Sequence, residues 1–457
     1  MKCHSFKTIK EQTDYISPWV LCVVLLVLTI CIIGALLIPV EQCPDEFGRN
    51  LLTEWIYKNK KLPTGYEPEI FLPGWGFSYA SRPYLAAIIS AFFMKIIRHF
   101  TWSEKLLLLA MRLCSCCSIA ACCFFSMRLG NKTFKERNYS ILYAVLICFL
   151  PQVLFIGMYH NNDSLSLAAV SMILYYMVDG RDSGWRLKSC LGFAISLSVG
   201  LLSYYTIYGW ILIAGLFFII TILRSDDPDK WKKLILKGGL IAGICILLTG
   251  WFFVRNAVLH HSDFLGIKSE ADMRTYAEEQ GLEVIYDYVS FHDTGYSLRE
   301  FLSYQNHEFL RWTFQSFIGV FGYMIYRLPD GIYRLYHLLF LGFFLLYART
   351  FFCQNISFCD YLIPLTITLS CAITFVLHLY QSYHRDYQPQ GRYIITLIIL
   401  ISYMGVSGLN GIENQLSLSG RNKRIKSIFH VITNILTGGY ILLFFFSFLN
   451  TMSKMIP

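Results

Sequence analysis

Charged residues are scarce in this 457-residue chain, since 15% are Asp, Glu, Lys or Arg while 55% are hydrophobic. A soluble domain averages about 25% charged residues, so the composition excludes a soluble enzyme. Several apolar runs approach or exceed the ~18 residues typical of a membrane-spanning helix. Repeats with a period of 20–50 residues are lacking, as is an inverted repeat of the transporter kind. The chain is therefore predicted to be a polytopic membrane protein.

The sequence is also not expected to contain a signal peptide, a nucleic-acid-binding surface or a disulfide framework. The first apolar run, 19–40, is longer than the ~7–15 residues of a signal peptide and has no small-residue cleavage site, which predicts a retained helix. The net charge of +9 is spread over short loops, so no nucleic-acid partner is expected. Most of the 15 cysteines lie in apolar runs as small packing residues. Only Cys43 is expected to face outward, so no disulfide framework is predicted.

The predicted fold class is an all-α polytopic membrane protein with about eleven transmembrane helices (range 10–13), plus re-entrant or juxtamembrane helices on the outer face. The expected spans are 17–40, 104–128, 138–160, 163–178, 188–204, 206–223, 234–257, 331–351, 360–380, 392–411 and 428–450. Two further apolar stretches, 83–99 and 311–327, are too short or too polar to span. They are predicted to be re-entrant or interfacial helices.

Basic loops predict the orientation. With the N-terminus inside, all three basic clusters (128–137, 230–233 and 421–426) fall on the cytoplasmic side of the plasma membrane. The whole chain, 1–457, is then one membrane-embedded domain. Two long segments become extracytoplasmic: a first loop at 41–103 with juxtamembrane helices, and a helical insertion at 258–330.

Unusual polar residues collect on this predicted outer side. Asp45 and Glu46 directly follow the first helix, and Asp163 follows Asn161 and Asn162 after the third. Adjacent carboxylates at a membrane boundary require a hydrated cavity or a cation. A charged helix start or an N-cap explains the same residues without any chemistry, and both interpretations stay open.

Three arginines occur on the same side, namely Arg82, Arg255 and Arg392. Each can simply extend its charge to lipid headgroups. Arginines that converge with carboxylates suggest a different use, because guanidinium groups bind phosphate and carboxylates act as a general base or as metal ligands.

In this order, the motifs resemble the GT-C superfamily of multi-spanning glycosyltransferases, and most closely its bacterial branch of uncharacterised predicted membrane proteins. The motifs are Pro44-Asp45-Glu46, Asn161-Asn162-Asp163, Trp251 to Asn256, Phe317 to Tyr323 with Leu328-Pro329-Asp330, and Gln390-Gly391-Arg392-Tyr393. They cover the chain from about 40 to 400.

The resemblance implies an outward-facing site that uses a polyprenyl-phosphate-linked sugar. The expected catalytic residues are Asp45, Glu46 and Asp163. The expected substrate-binding residues are Arg49, Arg82, Tyr84, Asn162, Arg255, Gln390 and Arg392. A divalent cation, Mg²⁺ or Mn²⁺, is possible at Asp45 and Asp163, although no cofactor is certain. The family often has a histidine where this chain has Arg49, which weakens a metal assignment and suggests that Arg49 contacts phosphate.

The resulting hypothesis is an inverting glycosyltransferase in which Asp45 removes the proton of an acceptor hydroxyl. Its partners are the lipid-phosphate donor, membrane lipid, and a glycan, lipid or protein acceptor of the cell envelope. Three alternatives remain: a lipid-linked glycan flippase or transporter, a non-catalytic membrane protein of envelope assembly, and a ligase or polymerase of lipid-linked polysaccharide. A transporter favours ionisable residues near the bilayer midplane, whereas the acids here lie at helix ends.

Overall fold

A computed structural model describes most of the chain. The described residues are 18–40, 42–134, 136–353, 358–417 and 422–455. Within the basic clusters that predict orientation, Lys135 and Arg421 lie outside these ranges. The start of the predicted first span, residue 17, also lies outside them.

The described residues form sixteen α-helices and one two-stranded sheet. The helices are α1 (Pro18–Leu37), α2 (Glu46–Asn59), α3 (Leu85–Phe100), α4 (Glu104–Phe134), α5 (Arg137–Cys148), α6 (Pro151–Ile156), α7 (Asp163–Ser183), α8 (Leu187–Leu201), α9 (Tyr208–Leu223), α10 (Lys230–Leu259), α11 (Ser269–Glu279), α12 (Leu298–Gly319), α13 (Asp330–Cys353), α14 (Phe358–His384), α15 (Leu397–Ser417) and α16 (Asn422–Met455). Strands β1 (Val320–Phe321) and β2 (Tyr326–Arg327) pair antiparallel. The chain is thus an all-α, multi-pass membrane protein, as predicted.

Seven helices of the described residues are long and apolar enough to cross a membrane. These spans are Pro18–Leu37, Glu104–Phe134, Tyr205–Leu223, Lys230–Leu259, Asp330–Phe351, Tyr361–His384 and Arg424–Met455. Each corresponds to a span predicted from the sequence. The predicted number of eleven is therefore not confirmed.

Three of the other four predicted spans show why hydropathy alone does not settle the count. The span at 138–160 is not one helix, because α5 ends at Cys148 and α6 begins at Pro151; proline lacks the amide hydrogen that would continue the first helix. Helix α8 has only 15 residues. Helix α7 is buried along almost its whole length, so neighbouring helices cover its polar residues.

Helix α4 is the centre of the bundle and packs against α1, α3, α5 and α7. The largest hydrophobic core includes residues of α1, α4, α5 and α7 together with residues of α13 to α16, whereas the buried hydrophobic residues of α3 belong to smaller clusters. Most cysteines lie within the largest core, as predicted. Cys43 was expected to face outward, but it is fully buried in this core.

The segments predicted to lie outside the membrane cover the end of the bundle where α1 finishes. Stretch 83–99 is the short helix α3, which packs on α2 and α4. Stretch 311–327 was expected to be one re-entrant or interfacial helix, and this was wrong. Helix α12 ends at Gly319, and the β1–β2 hairpin follows because Gly322 takes a left-handed backbone conformation (φ 64°) that turns the chain.

Candidate functional site

The turn between α1 and α2 is fixed by a buried ion pair. Glu46 is the first residue of α2, and both of its carboxylate oxygens accept hydrogen bonds of 2.7 Å from Arg112 of α4. Arg112 also donates to the carbonyls of Ala35, Ile38 and Pro39 at the end of α1. These carbonyls have no partner within their own helix. One guanidinium therefore binds α1 and α2 to α4.

Glu46 also fixes the loop before α7, because its Oε1 accepts a hydrogen bond from the backbone N–H of His160 (3.0 Å). Its side chain is about 1% exposed and Arg112 is fully buried. The structure does not favour the predicted catalytic role of Glu46, because both of its oxygens accept hydrogen bonds and its side chain is buried. Glu46 instead sets the position of Asp45 relative to Asp163.

Asp45 lies one residue earlier and has the opposite environment. Its backbone is left-handed (φ 61°, ψ −4°), a conformation that aspartate tolerates better than most residues. This turn directs its side chain toward Arg392, which donates a 2.7 Å hydrogen bond to Asp45 Oδ2. The Asp45 side chain is 28% exposed, against 4% for that of Arg392. The Asp45 carboxylate is therefore accessible and forms an ion pair with the buried Arg392 guanidinium.

Arg392 is held by the residues around it in the predicted motif. Gln390 Oε1 accepts a 2.8 Å hydrogen bond from Arg392 Nε, and Tyr393 Oη accepts one of 3.0 Å from Nη2. Gly391 packs directly on α12, where a Cβ atom would collide with the backbone of Thr313 and Phe317. Gln390, predicted to bind substrate, is thus placed as a residue that orients Arg392.

The electrostatics of this pair keep Asp45 ionised. Burial raises the pKa of Asp45, but the Arg392 and Arg49 guanidiniums outweigh it and hold the pKa below its usual value of 3.8. Burial lowers the pKa of Arg392, whereas Asp45, Tyr393, Tyr159 and Asp163 raise it well above normal overall. Asp163 therefore lies within electrostatic range of the same arginine. The structure brings together three residues that are far apart in the sequence.

Asp163 is the first residue of α7. It is 3% exposed, and it does not line the cavity that opens beside Asp45. Asn161 forms the helix-start turn by accepting from the N–H of Ser164, and the Asn162 side chain donates to the carbonyl of Pro83. Asn162, predicted to contact substrate, therefore has a structural contact instead.

A cavity of about 970 Å³ opens beside Asp45. Its wall is rich in aromatic rings, with charged side chains among them. The residues that line it include Asp45, Trp75, Phe77, Tyr79, Arg82, Tyr204, Tyr205, Glu270, Tyr288, Leu377, His378, Tyr380, Arg385, Asp386, Gln388 and Tyr393. This combination suits an amphipathic ligand that carries both hydroxyl groups and an anion.

Of the predicted arginines, Arg82 lines this cavity, and Arg49 lies directly behind two of the rings that form its wall. Arg82 forms a 2.5 Å ion pair with Glu270. The Arg49 guanidinium lies over the rings of Tyr79 (4.7 Å) and Tyr204 (5.9 Å), which both line the cavity. Arg49 is 6% exposed, and its buried Nε has no hydrogen-bond partner in the part of the chain that the structure describes. A buried donor of this kind is ready to bind an anion.

Two other predictions are not supported by the placement of the residues. Arg255 donates hydrogen bonds to the carbonyls of Leu62 and Pro63 in the first loop. Tyr84 is buried against Trp251 and Phe252. Neither residue lines the cavity, so Arg255 fastens a loop and Tyr84 packs in a core.

The residues present do not form a closed metal site. No group of three or more His, Cys, Asp or Glu side chains that could hold an ion occurs among the described residues. Asp45 already faces the Arg392 guanidinium, which is the charge that also interacts with Asp163. The Mg²⁺ or Mn²⁺ site stays a prediction, and no chemical step is assigned to it.

Several side chains of the site were not found by sequence reasoning. They are Arg112, Tyr204, Glu270 and His378. Of these, Arg112 carried a usable signal, because an arginine within the apolar run of α4 requires a partner inside the protein. Tyr204 resembles an ordinary interface anchor in the sequence.

Solved structures with the same fold identify the class of protein. ArnT from Cupriavidus metallidurans in the apo state matches with a TM-score of 0.57 at 11% identity, over 96% of this chain and 77% of that one. ArnT bound to undecaprenyl phosphate gives 0.54 at 13% identity, over 93% and 70%. The Archaeoglobus fulgidus oligosaccharyltransferase in complex with Zn and sulfate gives 0.50 at 15% identity; it is covered over 53% of its length, by 92% of this chain. The chain therefore has the GT-C fold.

The family is shown by a sequence model. Residues 76–401 match the family described as predicted membrane protein (DUF2142), and the chain belongs to that family. A search of curated proteins gives no match.

Proposed function

We propose that this chain is an inverting glycosyltransferase that moves a sugar from a polyprenyl-phosphate donor to an acceptor hydroxyl on the extracytoplasmic side. The observation that carries the proposal is the accessible Asp45 carboxylate, held ionised by buried Arg392 at the wall of the 970 Å³ cavity. The fold is that of sugar-transferring membrane enzymes, and one such structure contains undecaprenyl phosphate.

In the proposed reaction, Asp45 accepts the proton of the acceptor hydroxyl as that oxygen forms a bond to the anomeric carbon. The bond from this carbon to the phosphate oxygen breaks, and the polyprenyl phosphate leaves from the opposite face with the electron pair. The anomeric configuration therefore inverts. Arg392 keeps Asp45 deprotonated and oriented, which a general base requires.

The leaving phosphate needs positive charge. Arg49 is the preferred candidate, because no ion pair engages its guanidinium in the described residues. Arg82 provides a second charge at the cavity wall, and its partner Glu270 balances it before the donor binds. Arg255 is no longer a candidate because it is bound to the first loop.

The position of the site along α4 supports the extracytoplasmic side. Arg112 holds the Asp45 turn, and Lys132 belongs to the basic cluster at the other end of the same helix. Twenty residues of helix span about 30 Å, which is the thickness of the hydrocarbon core. If the basic end lies inside, as the positive-inside rule predicts, the cavity lies on the outer side.

The discriminating experiment uses purified protein in sealed vesicles with a radiolabelled polyprenyl-phosphate sugar. An enzyme releases the sugar from the lipid by transfer or hydrolysis, so label appears in a product without the lipid. A flippase leaves the donor intact and moves it to a leaflet protected from added reagents. Intact donor in both leaflets would overturn the proposal.

A further inference from the structure

His378 of α14 is a polar group at the cavity that the reaction described above does not use. It is 6% exposed, it lines the cavity, and its buried Nε2 has no hydrogen-bond partner among the described residues. A buried donor or acceptor without a partner destabilises the folded protein, because it has lost its hydrogen bonds to water. Such a group in a ligand cavity indicates that its partner arrives with the ligand.

The ring of His378 has a fixed position. It stacks on Phe309 with centroids 5.3 Å apart and an interplanar angle of 27°. On another side it lies 5.8 Å from the ring of Tyr393. Tyr393 is hydrogen-bonded to Arg392, which binds Asp45. A continuous line of contacts thus joins His378 to the proposed reaction centre.

Two neighbours of His378 in the cavity wall carry large exposed side chains. Leu377 and Tyr380 line the cavity and are 44% and 56% exposed, on a helix that is long and apolar enough to cross a membrane. His378 lies six residues before the end of α14, about 9 Å along the helix. It therefore lies on the part of the cavity wall that connects these side chains, through Tyr393, with the Asp45–Arg392 pair.

We infer that His378 binds the phosphate that links the sugar to the lipid chain of the donor, an inference that rests on the proposed function. A donor whose chain leaves past Leu377 and Tyr380, and whose sugar reaches Asp45, carries its phosphate past His378. The imidazole N–H donates to a phosphate oxygen. His378 is a positioning residue, since it holds the donor and transfers no proton.

The test measures binding of undecaprenyl phosphate, and of undecaprenol as the ligand without phosphate, to the full chain in detergent. His378→Phe keeps the stacking on Phe309 and removes the hydrogen bond. We expect it to weaken undecaprenyl phosphate binding about 10- to 100-fold, the range for a hydrogen bond to a charged group. Undecaprenol binding should not change, and His378→Gln should restore most of the affinity.

The matched control is His337→Phe, because His337 also packs on a phenylalanine (Phe314, 5.6 Å) but is exposed on α13 and does not line the cavity. It should bind both ligands as the wild type does. Wild-type protein that fails to bind undecaprenyl phosphate would contradict the proposed function itself. Wild-type binding with no loss in His378→Phe, or an equal loss for both ligands, would overturn the role of His378 alone.

Discussion

At the scale of single residues, Asp45 and Glu46 show how one turn separates two adjacent carboxylates. The left-handed conformation at Asp45 leaves its side chain at the cavity, while Glu46 enters the helix and is enclosed by Arg112. The first carboxylate remains accessible and the second is structural. The proposed reaction is therefore assigned to Asp45.

The pH dependence of transfer follows from the charge on Arg392. The folded pKa of Asp45 lies below 3.8, so its ionised form and its contribution to stability are present above that pH and are lost as pH falls through the folded pKa. In Arg392→Gln, the larger of the two arginine effects that oppose burial is lost, so the pKa of Asp45 rises. We expect the acid limb of the pH profile of kcat/KM for sugar transfer to move toward neutral pH in this variant. The shift is expected even if the variant transfers sugar more slowly than the wild type.

Arg299→Gln is the control for this profile, because Arg299 is exposed on α12 and does not line the cavity. Its acid limb should coincide with that of the wild type. An unchanged acid limb in Arg392→Gln would show that Arg392 does not set the ionisation of Asp45.

The sequence could predict residues that stand out from their surroundings. Asp45, Asp163 and Arg392 occur in short polar motifs at helix ends, and the structure brings them together. The two carboxylates at 45 and 46 look equivalent in the sequence, because their different fates depend on a backbone turn. His378 was missed since a single histidine in an apolar run resembles a packing residue.

At the scale of elements, the pair of Glu46 and Arg112 joins α1, α2 and α4. Breaking a buried pair by removing one charge costs about 3–5 kcal/mol, because the other charge stays buried. Glu46→Gln should therefore lower the unfolding temperature in detergent markedly, measured by tryptophan fluorescence.

Glu54→Gln provides the comparison on the same helix, since Glu54 pairs with Lys58 at the surface. An exposed pair is worth about 0.2–1 kcal/mol, so this variant should unfold near the wild-type temperature. Equal unfolding temperatures for the two variants would contradict the structural role of Glu46.

The sequence predicts helices well where hydropathy alone determines where they lie. Helices α10 and α16 contain their whole predicted spans, because they are long and apolar, and extend up to six residues beyond them. Helix α5 ends early because Pro151 interrupts the predicted span. Helix α7 keeps its polar residues inside the protein, so its hydropathy does not reveal whether it crosses the membrane.

At the scale of the whole molecule, the proposal requires the insertion and the basic ends to lie on opposite sides of the membrane. Glu279 is exposed at the end of α11, and Asp229 is exposed just before α10. In intact cells, a membrane-impermeant maleimide should label Glu279→Cys. It should label Asp229→Cys only after the membrane is opened.

The unmodified chain is the background for this labelling, because it already contains 15 cysteines. Labelling of Asp229→Cys in intact cells, with Glu279→Cys protected, would reverse the orientation. The cavity would then face the cytoplasm.

The most direct measurement is the initial rate of sugar transfer from a labelled polyprenyl-phosphate donor by Asp45→Asn. Asparagine also tolerates the left-handed backbone, so the turn should be kept while the base is lost. The control is Asp272→Asn, at an exposed carboxylate of α11 outside the cavity wall. The rate should fall about 10²- to 10⁴-fold in Asp45→Asn and stay at the wild-type value in the control. Near wild-type transfer by folded Asp45→Asn would contradict the assignment of Asp45 as the catalytic base.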